Sequence, residues 1–290
     1  MQRADTEIIR PEFRSIDGLS IRLAQSAPRA AQQREALLFN PWPESIYAYE
    51  PTWAALGDHA SLIAVDLPGF GHSELSEALM APRAMGEFIV RLADALGLKQ
   101  PHLVGPDIGT AACLFAAAAA PGRFRSLTIG TGGAAVPLQL GGALKEWVEA
   151  PDVEPYRRIG GEKIVKAAIA NIENYTPSPT ALNDYLTGYA GERFAESLQY
   201  VRAYPRELPI LRDLLATIQT PVQVINGRHD PVVPLANAEF LVEHLPNSRL
   251  VVIDRGHFIW EDAAEEYAAN LIAWWDGGYQ SVDQRARIHV

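Results

Sequence analysis

The chain has 290 residues, of which 25 are Lys or Arg and 35 are Asp or Glu, so the formal charge is −10 and the sequence pI is near 5.2. With 48% apolar and 21% charged residues it has the makeup of a packed globular protein, long enough for two units or one large α/β domain with an insertion. So acidic a chain, with no basic run, is repelled by phosphate backbones and anionic membranes, which sets aside nucleic-acid and membrane-surface roles.

In chain order, Met1 to Arg14 is charged and lacks the apolar run of a secretory signal. Phe13 to Ile16 and Leu19 to Ala24, parted by Asp17-Gly18, read as a β-hairpin whose turn residues suit positive φ. Short apolar runs with breakers behind them follow at Ala36 to Phe39, Leu62 to Val65, His102 to Val104, Leu127 to Ile129, Val222 to Ile225 and Leu250 to Ile253. They are predicted to be buried strands. Helical patterns lie among them at Ala84 to Leu96, Ile108 to Ala119, Leu235 to Glu243 and Glu261 to Trp275. Strands alternating with helices predict βαβ crossovers, hence an α/β fold with a mostly parallel, eight-stranded sheet and helices on both faces.

The alternation stops between about Gly133 and Leu215, a Tyr-rich, helix-like stretch interrupted by prolines from Pro137 to Pro209. The expected division is a core in two parts, 1–132 and 216–290, with 133–215 inserted as a helical cap over the carboxyl ends of the strands, where open α/β sheets bind ligands. The longest apolar stretch, Ile108 to Ala120, is well short of the about 20 residues that span a bilayer, so a soluble cytoplasmic protein is expected. Cys113 lies inside that stretch. A lone cysteine closes no intrachain disulfide and builds no thiolate metal site, and here it reads as a small buried side chain.

The strand at His102 runs directly into a helix through Gly105-Pro106-Asp107-Ile108-Gly109. Glycines two positions either side of Asp107 allow a sharp turn that lifts its side chain above the sheet, and with Ser at the centre this is the nucleophile elbow of α/β hydrolases. The positive end of the helix favours an ionised carboxylate at 107. Alone, the motif could equally be a helix-capping aspartate in a tight turn. A working triad on such a scaffold runs nucleophile, acid, histidine, and that order is present. Asp230 follows the strand Val222 to Ile225, and His257 follows Leu250 to Ile253. Asp230 would fix the tautomer of His257 and stabilise its imidazolium. His229, beside Asp230, is the weaker choice of base. The loop Asn40-Pro41-Trp42-Pro43-Glu44-Ser45 lies where half of an oxyanion hole is expected; since Pro41 and Pro43 have no N–H, the donors would be the amides of Trp42 and Ile108. Pro43 is a candidate for a cis peptide.

These residues resemble the α/β-hydrolase superfamily and, within it, the branch with an aspartate nucleophile: epoxide hydrolases and haloalkane and haloacetate dehalogenases. Val65-Asp66-Leu67-Pro68-Gly69-Phe70-Gly71-His72-Ser73 is similar to the strand-to-loop signature of that family. The chain departs from the pattern where Asn40 and Pro41 replace His and Gly, where Pro106 precedes the nucleophile, and where Ile108 and Ala111 replace the Trp or Arg that hold a halide or a haloacid carboxylate. The resemblance also implies two cap tyrosines that hydrogen-bond an epoxide oxygen. Tyr156 suits the first place, and Tyr200 or Tyr204 the second. Asn40 and the Trp42 indole are further candidates for contact with the substrate or leaving group.

A carboxylate suits displacement at saturated carbon, forming an alkyl ester that water activated by His257 and Asp230 then cleaves. Phenols in the cap and no Trp beside the nucleophile rank epoxide hydrolysis first and dehalogenation second. A non-hydrolytic binding protein, or a cyclase or lyase on the same fold, is a further alternative, and an ester hydrolase a weaker one. Neither cofactor nor metal is implied. The partners are a small-molecule substrate and water, with the oligomeric state left open. Arg157 and Arg158 read as a solvated helix face, and Trp274 and Trp275 as packing.

Overall fold

The computed structural model describes residues 8–27, 34–282 and 287–289. Each predicted strand is present, lengthened by a residue or two: β1 Pro11–Ile16, β2 Leu19–Gln25, β3 Glu35–Phe39, β4 Ser61–Val65, β5 His102–Pro106, β6 Ser126–Gly130, β7 Val222–Gly227 and β8 Ser248–Ile253. A short β9, Arg287–His289, pairs parallel to β8 and adds a ninth strand at the edge. A segment of that length at a charged terminus has no apolar periodicity to reveal it. The sheet order is β1-β2-β4-β3-β5-β6-β7-β8-β9, antiparallel at β1–β2 and β2–β4 and parallel elsewhere.

Parallel pairing places the carboxyl ends of β3, β5, β7 and β8 along one rim. Pro106 pairs with Gly130 and Gly227 with Ile253, so the loops carrying Trp42, Asp107, Asp230 and His257 leave the sheet on the same side. The central strands are buried along their whole length, as expected of a sheet covered on both faces.

The helices are α1 Trp53–Gly57, α2 Pro82–Ala95 and α3 Gly109–Ala119; then α4 Gly142–Glu149, α5 Glu154–Ile159, α6 Gly161–Ile169, α7 Pro179–Gly188, α8 Arg193–Arg202 and α9 Tyr204–Leu215; and finally α10 Ala236–His244, α11 Ile259–Asp262 and α12 Ala264–Trp275. α2 presses closely on α3, because Gly86 has no Cβ to strike Phe115, whose own Cβ would lie 2.6 Å away. The helix predicted over Glu261 to Trp275 is two, broken at Ala263, where φ is −133°. Helices α4 to α9 all fall between β6 and β7, with no strand among them. α9 packs on α3, and α4 on α8. This helical segment is tied to the sheet by Arg22 of β2, whose buried guanidinium donates to both carboxylate oxygens of Asp184 in α7 (2.9 and 2.6 Å) and to Asp66 after β4 (3.2 Å). Among the described residues no helix is long and apolar enough to cross a membrane.

Candidate active site

The turn from β5 into α3 puts its strain on Asp107 itself, at φ 51°, and neither flanking glycine of the motif has positive φ. The glycines act by making room instead. A Cβ on Gly105 would lie 2.4 Å from Cys113 Sγ and 2.9 Å from the Gly109 carbonyl, whereas one on Gly109 would meet nothing closer than Phe39 Cβ at 3.7 Å. The elbow is held to β6 on both sides of the strained residue. The Asp107 N–H donates to the Gly130 carbonyl (2.9 Å), and the Thr110 hydroxyl donates to the same carbonyl (2.9 Å) while accepting the Gly130 N–H (3.1 Å). Thr110 had no sequence signal beyond its place in the first helical turn.

The loop after β3 closes over the carboxylate. The Trp42 N–H donates to Asp107 Oδ2 at 2.7 Å, and the Ile108 N–H donates to the same carboxylate. The two amides expected to form an oxyanion hole thus both face the Asp107 carboxylate. The Trp42–Pro43 peptide is cis. Asn40 has another role than the substrate contact expected of it. Its amide donates to the Pro41 carbonyl (3.0 Å) and its carbonyl accepts the Leu67 N–H (2.8 Å), so the whole side chain is spent in shaping this loop.

Past β7, Asp230 Oδ1 accepts the N–H groups of Val232 and Val233, each at 2.8 Å, which aims Oδ2 at His257 Nδ1, 2.7 Å away. His257 is buried, with Nε2 as its other ring nitrogen. His229 belongs to the same cavity lining, but it is exposed and pairs with Asp254 at 2.8 Å, not with Asp230. Burial pushes the Asp107 carboxyl up to about 6, against the opposing pull of His257 and the two amides. For His257, burial opposes the imidazolium, but the charge and hydrogen bond of Asp230, helped by Asp107, outweigh it and hold the ring above its ordinary value.

Asp107 and His257 line one cavity of about 1020 Å³. Trp42, Leu144, Trp147, Ile164 and Phe258 supply apolar wall, and Lys163, Asn171, Asn174 and Arg255 its polar part. The three predicted tyrosines are absent from that lining. Tyr200 is fully buried and donates its phenol to the Ile108 carbonyl at 2.8 Å, so its proton is committed to the elbow and is not offered to a leaving group. Tyr156 is half-buried with its ring 6.5 Å from that of Trp147, outside the cavity wall. Tyr204 is buried against Gly133; burial, then the charge of Asp107, keep its phenol protonated far above neutrality, and that phenol makes no hydrogen bond among the described residues. The indole N–H of Trp42, a candidate halide donor, instead donates to the Ser197 hydroxyl at 2.9 Å. Sequence reasoning missed Ser197 together with Glu44 and Glu261, two buried carboxyls joined to Trp260 and Tyr185. Among the described residues no cluster suited to a metal ion occurs. Cys113, as expected, is buried, and burial raises its thiol.

A parallel sheet with an acidic residue on a strained strand-to-helix elbow, a His–Asp pair on later loops and converging amides defines a member of the α/β-hydrolase fold class. Residues 37–270 match the Alpha/beta hydrolase family, and the chain belongs to it. The 2-hydroxy-6-oxononadienedioate/2-hydroxy-6-oxononatrienedioate hydrolase 2 of Pseudomonas putida is 29% identical, over 70% of this chain and 72% of that protein. The 3-oxoadipate enol-lactonase 1 of Acinetobacter baylyi is 25% identical, over 72% of this chain and 76% of that one. Among solved structures, the enol-lactonase from Burkholderia xenovorans superposes with a TM-score of 0.76 at 19% identity, covering 91% of this chain and all, 100%, of the other. The coarse reading these likenesses support is a hydrolase. None of these three relatives is named as an epoxide hydrolase or a dehalogenase; their names are those of a 2-hydroxy-6-oxononadienedioate hydrolase and of enol-lactonases.

Proposed function

We propose that the protein is a hydrolase in which Asp107 bonds covalently to a saturated carbon of a small organic substrate, an epoxide being the best fit. The observation that carries this reading is the Trp42 N–H on Asp107 Oδ2. In acyl chemistry on a hydroxyl nucleophile, such amides receive the oxygen of the substrate carbonyl. Here they hold an oxygen of the enzyme, which is where the oxyanion arises if the ester to be hydrolysed is that of Asp107.

In the first step Asp107 Oδ1 attacks an epoxide carbon, the ring C–O bond breaks, and the alkoxide takes a proton through the donor facing it. Tyr204, like Tyr156 and Tyr200, does not line the cavity, so that proton comes from water admitted with the substrate. In the second step His257 Nε2 takes a proton from water, the hydroxide adds to Cγ of Asp107, and the tetrahedral oxyanion on Oδ2 is held by the Trp42 and Ile108 amides. Collapse breaks the bond from Cγ to the alkoxy oxygen, which takes the proton of the new Asp107 carboxyl group, while the His257 imidazolium returns its proton to the base left by the first step, and the diol leaves. Losing one such donor typically costs about 3 kcal/mol of transition-state stabilisation. The two steps are coupled by charge. Esterification removes the negative charge of Asp107, one of the causes holding the His257 pKa up, so the ring sheds its proton more readily and is neutral when it must accept one from water.

A second reading, attack at an acyl carbon, has in its favour the enol-lactonase and 2-hydroxy-6-oxononadienedioate hydrolase names of the relatives. It predicts turnover of activated aryl esters that survives Asp107→Asn. Intact-mass measurement of the His257→Gln protein after exposure to epoxides and to haloalkanes decides among them. The expected result is a stable adduct carrying the whole mass of the epoxide and absent from Asp107→Ala. An adduct of the alkyl group alone would transfer the reading to dehalogenation, and no adduct with either class would overturn it.

A further inference from the structure

Glu44, in the loop beside Trp42, and Glu261, in α11, are both buried, with exposures of 0% and 2%, and among the described residues no Lys, Arg or His forms an ion pair with either. Glu44 Oε2 accepts the Trp260 indole N–H at 3.0 Å, and Glu261 Oε1 accepts the Tyr185 phenol at 3.1 Å. That leaves Glu44 Oε1 and Glu261 Oε2, each shut away from solvent and without a partner, on carboxyl groups within hydrogen-bonding reach of one another. Two carboxylates so placed would suffer mutual repulsion and two unmet acceptors, while one proton between them removes one charge and satisfies both oxygens.

We propose that Glu44 and Glu261 share a single proton and act as a positioning pair that seats Trp260 against the His257 ring. The Trp260 and His257 ring centroids are 5.7 Å apart at 77°, so the indole that Glu44 holds by its N–H forms part of the wall fixing the imidazole plane. The pair touches no reacting atom; its effect passes through Trp260. The groups facing it from other elements are mostly acids and phenols: Asp107 at the elbow, Glu50, Tyr49, Tyr175, Tyr185, Tyr189 and the adjoining Asp262. None of these supplies positive charge, and burial together with that acidic company favours keeping the proton through neutral pH; burial raises Glu261 to about 7, and burial, then the charge of Glu261, raise Glu44 well above the usual carboxylate range. As pH rises beyond that range the proton leaves, two buried negative charges face each other, and the seat of His257 loosens.

The inference rests on His257 being the base but not on the epoxide reading, and its test separates the two. In the Asp107→Asn protein, where the nucleophile cannot contribute, infrared spectra should show a carboxylic-acid C=O band at pH 6 that fades by pH 9 and is missing when Glu44→Gln and Glu261→Gln are added. If no such band is present at pH 6, or if it survives both Gln substitutions, the shared proton is refuted. The nitrogen resonances of the His257 ring should move in Glu261→Ala and return in Glu261→Gln, which restores a hydrogen-bonding group; unmoved resonances in Glu261→Ala would refute the positioning role without any substrate. With a substrate in hand, Glu261→Ala should lower kcat about ten- to hundredfold with KM little changed. Glu261→Gln should recover most of kcat and lose the alkaline decline.

Discussion

Asp107 joins two demands that both oppose folding: a left-handed backbone at φ 51° on a non-glycine residue, and a carboxylate with 4% exposure. The second can be read in the pH dependence of stability. Since its folded-state pKa, about 6, is raised above the ordinary 3.8 of an aspartate, Asp107 contributes most below about pH 4, and that contribution is lost as pH rises through 6. Replacing it with Asn, whose carbonyl can still accept the Trp42 N–H, removes the penalty. Asp107→Asn should therefore raise the melting temperature at pH 8, by the equivalent of about 3 kcal/mol, and change it little at pH 4. Parallel melting curves for the two proteins at both pH values would show that the carboxylate is not held against its burial. The positions of Asp107, Asp230 and His257 were legible because each follows an apolar strand run and their order fits a triad. The tyrosines were not, because an offset along the chain does not fix the rotational phase of a cap helix. Tyr200 turns its phenol to the Ile108 carbonyl, and no sequence pattern distinguishes that from facing the cavity.

At the scale of elements, the elbow shows why the motif glycines are unequal. Gly105 ends β5 beneath the first turn of α3, where Cys113 Sγ and the Gly109 carbonyl leave no space for a methyl group. Gly109 begins α3 with open room and ordinary backbone angles. Gly105→Ala should therefore displace the elbow and destabilise the protein by about 1–3 kcal/mol through overpacking. Gly109→Ala should stabilise it by about 0.5–1 kcal/mol through helix propensity. Denaturant midpoints of the two variants test this, and a drop of equal size in both would mean that the turn, and not the space beneath it, requires glycine. The strands themselves were legible for a simple reason: buried parallel strands are unbroken apolar runs, and breakers follow each of them. The division of the last helical pattern at Ala263 was not, since alanine carries no break signal and nothing in its neighbours' residue types marks the non-helical φ of −133° there.

Across the whole molecule, the segment α4 to α9 must stay seated over the sheet for the cavity to exist, and one charged junction does much of that. Arg22 lies on β2 and Asp184 on α7, 162 positions apart, a pairing that local sequence patterns cannot disclose. Ser45 of the loop beside Trp42 donates to the same Asp184 carboxylate at 2.6 Å, so the junction also reaches the segment that covers Asp107. Taking the charge from Asp184 leaves Arg22 buried with Asp66 alone, and Asp66 is itself occupied by the Ile46 and His72 amides. Breaking one arm of such a buried pair costs about 3–5 kcal/mol, because the remaining ion keeps its desolvation penalty without its partner. Asp184→Ala should thus unlock α7 from β2 before it unfolds the sheet. Hydrogen exchange should quicken in Pro179–Gly188 and around Ser45 while β5 and β6 keep their protection. Arg22→Met/Asp184→Leu, which removes both charges and fills the space with apolar atoms, should recover much of the loss. Should Asp184→Ala instead speed exchange uniformly, the junction would be part of the general stability of the fold, and the seating of the helical segment would have to come from its apolar contacts with α3.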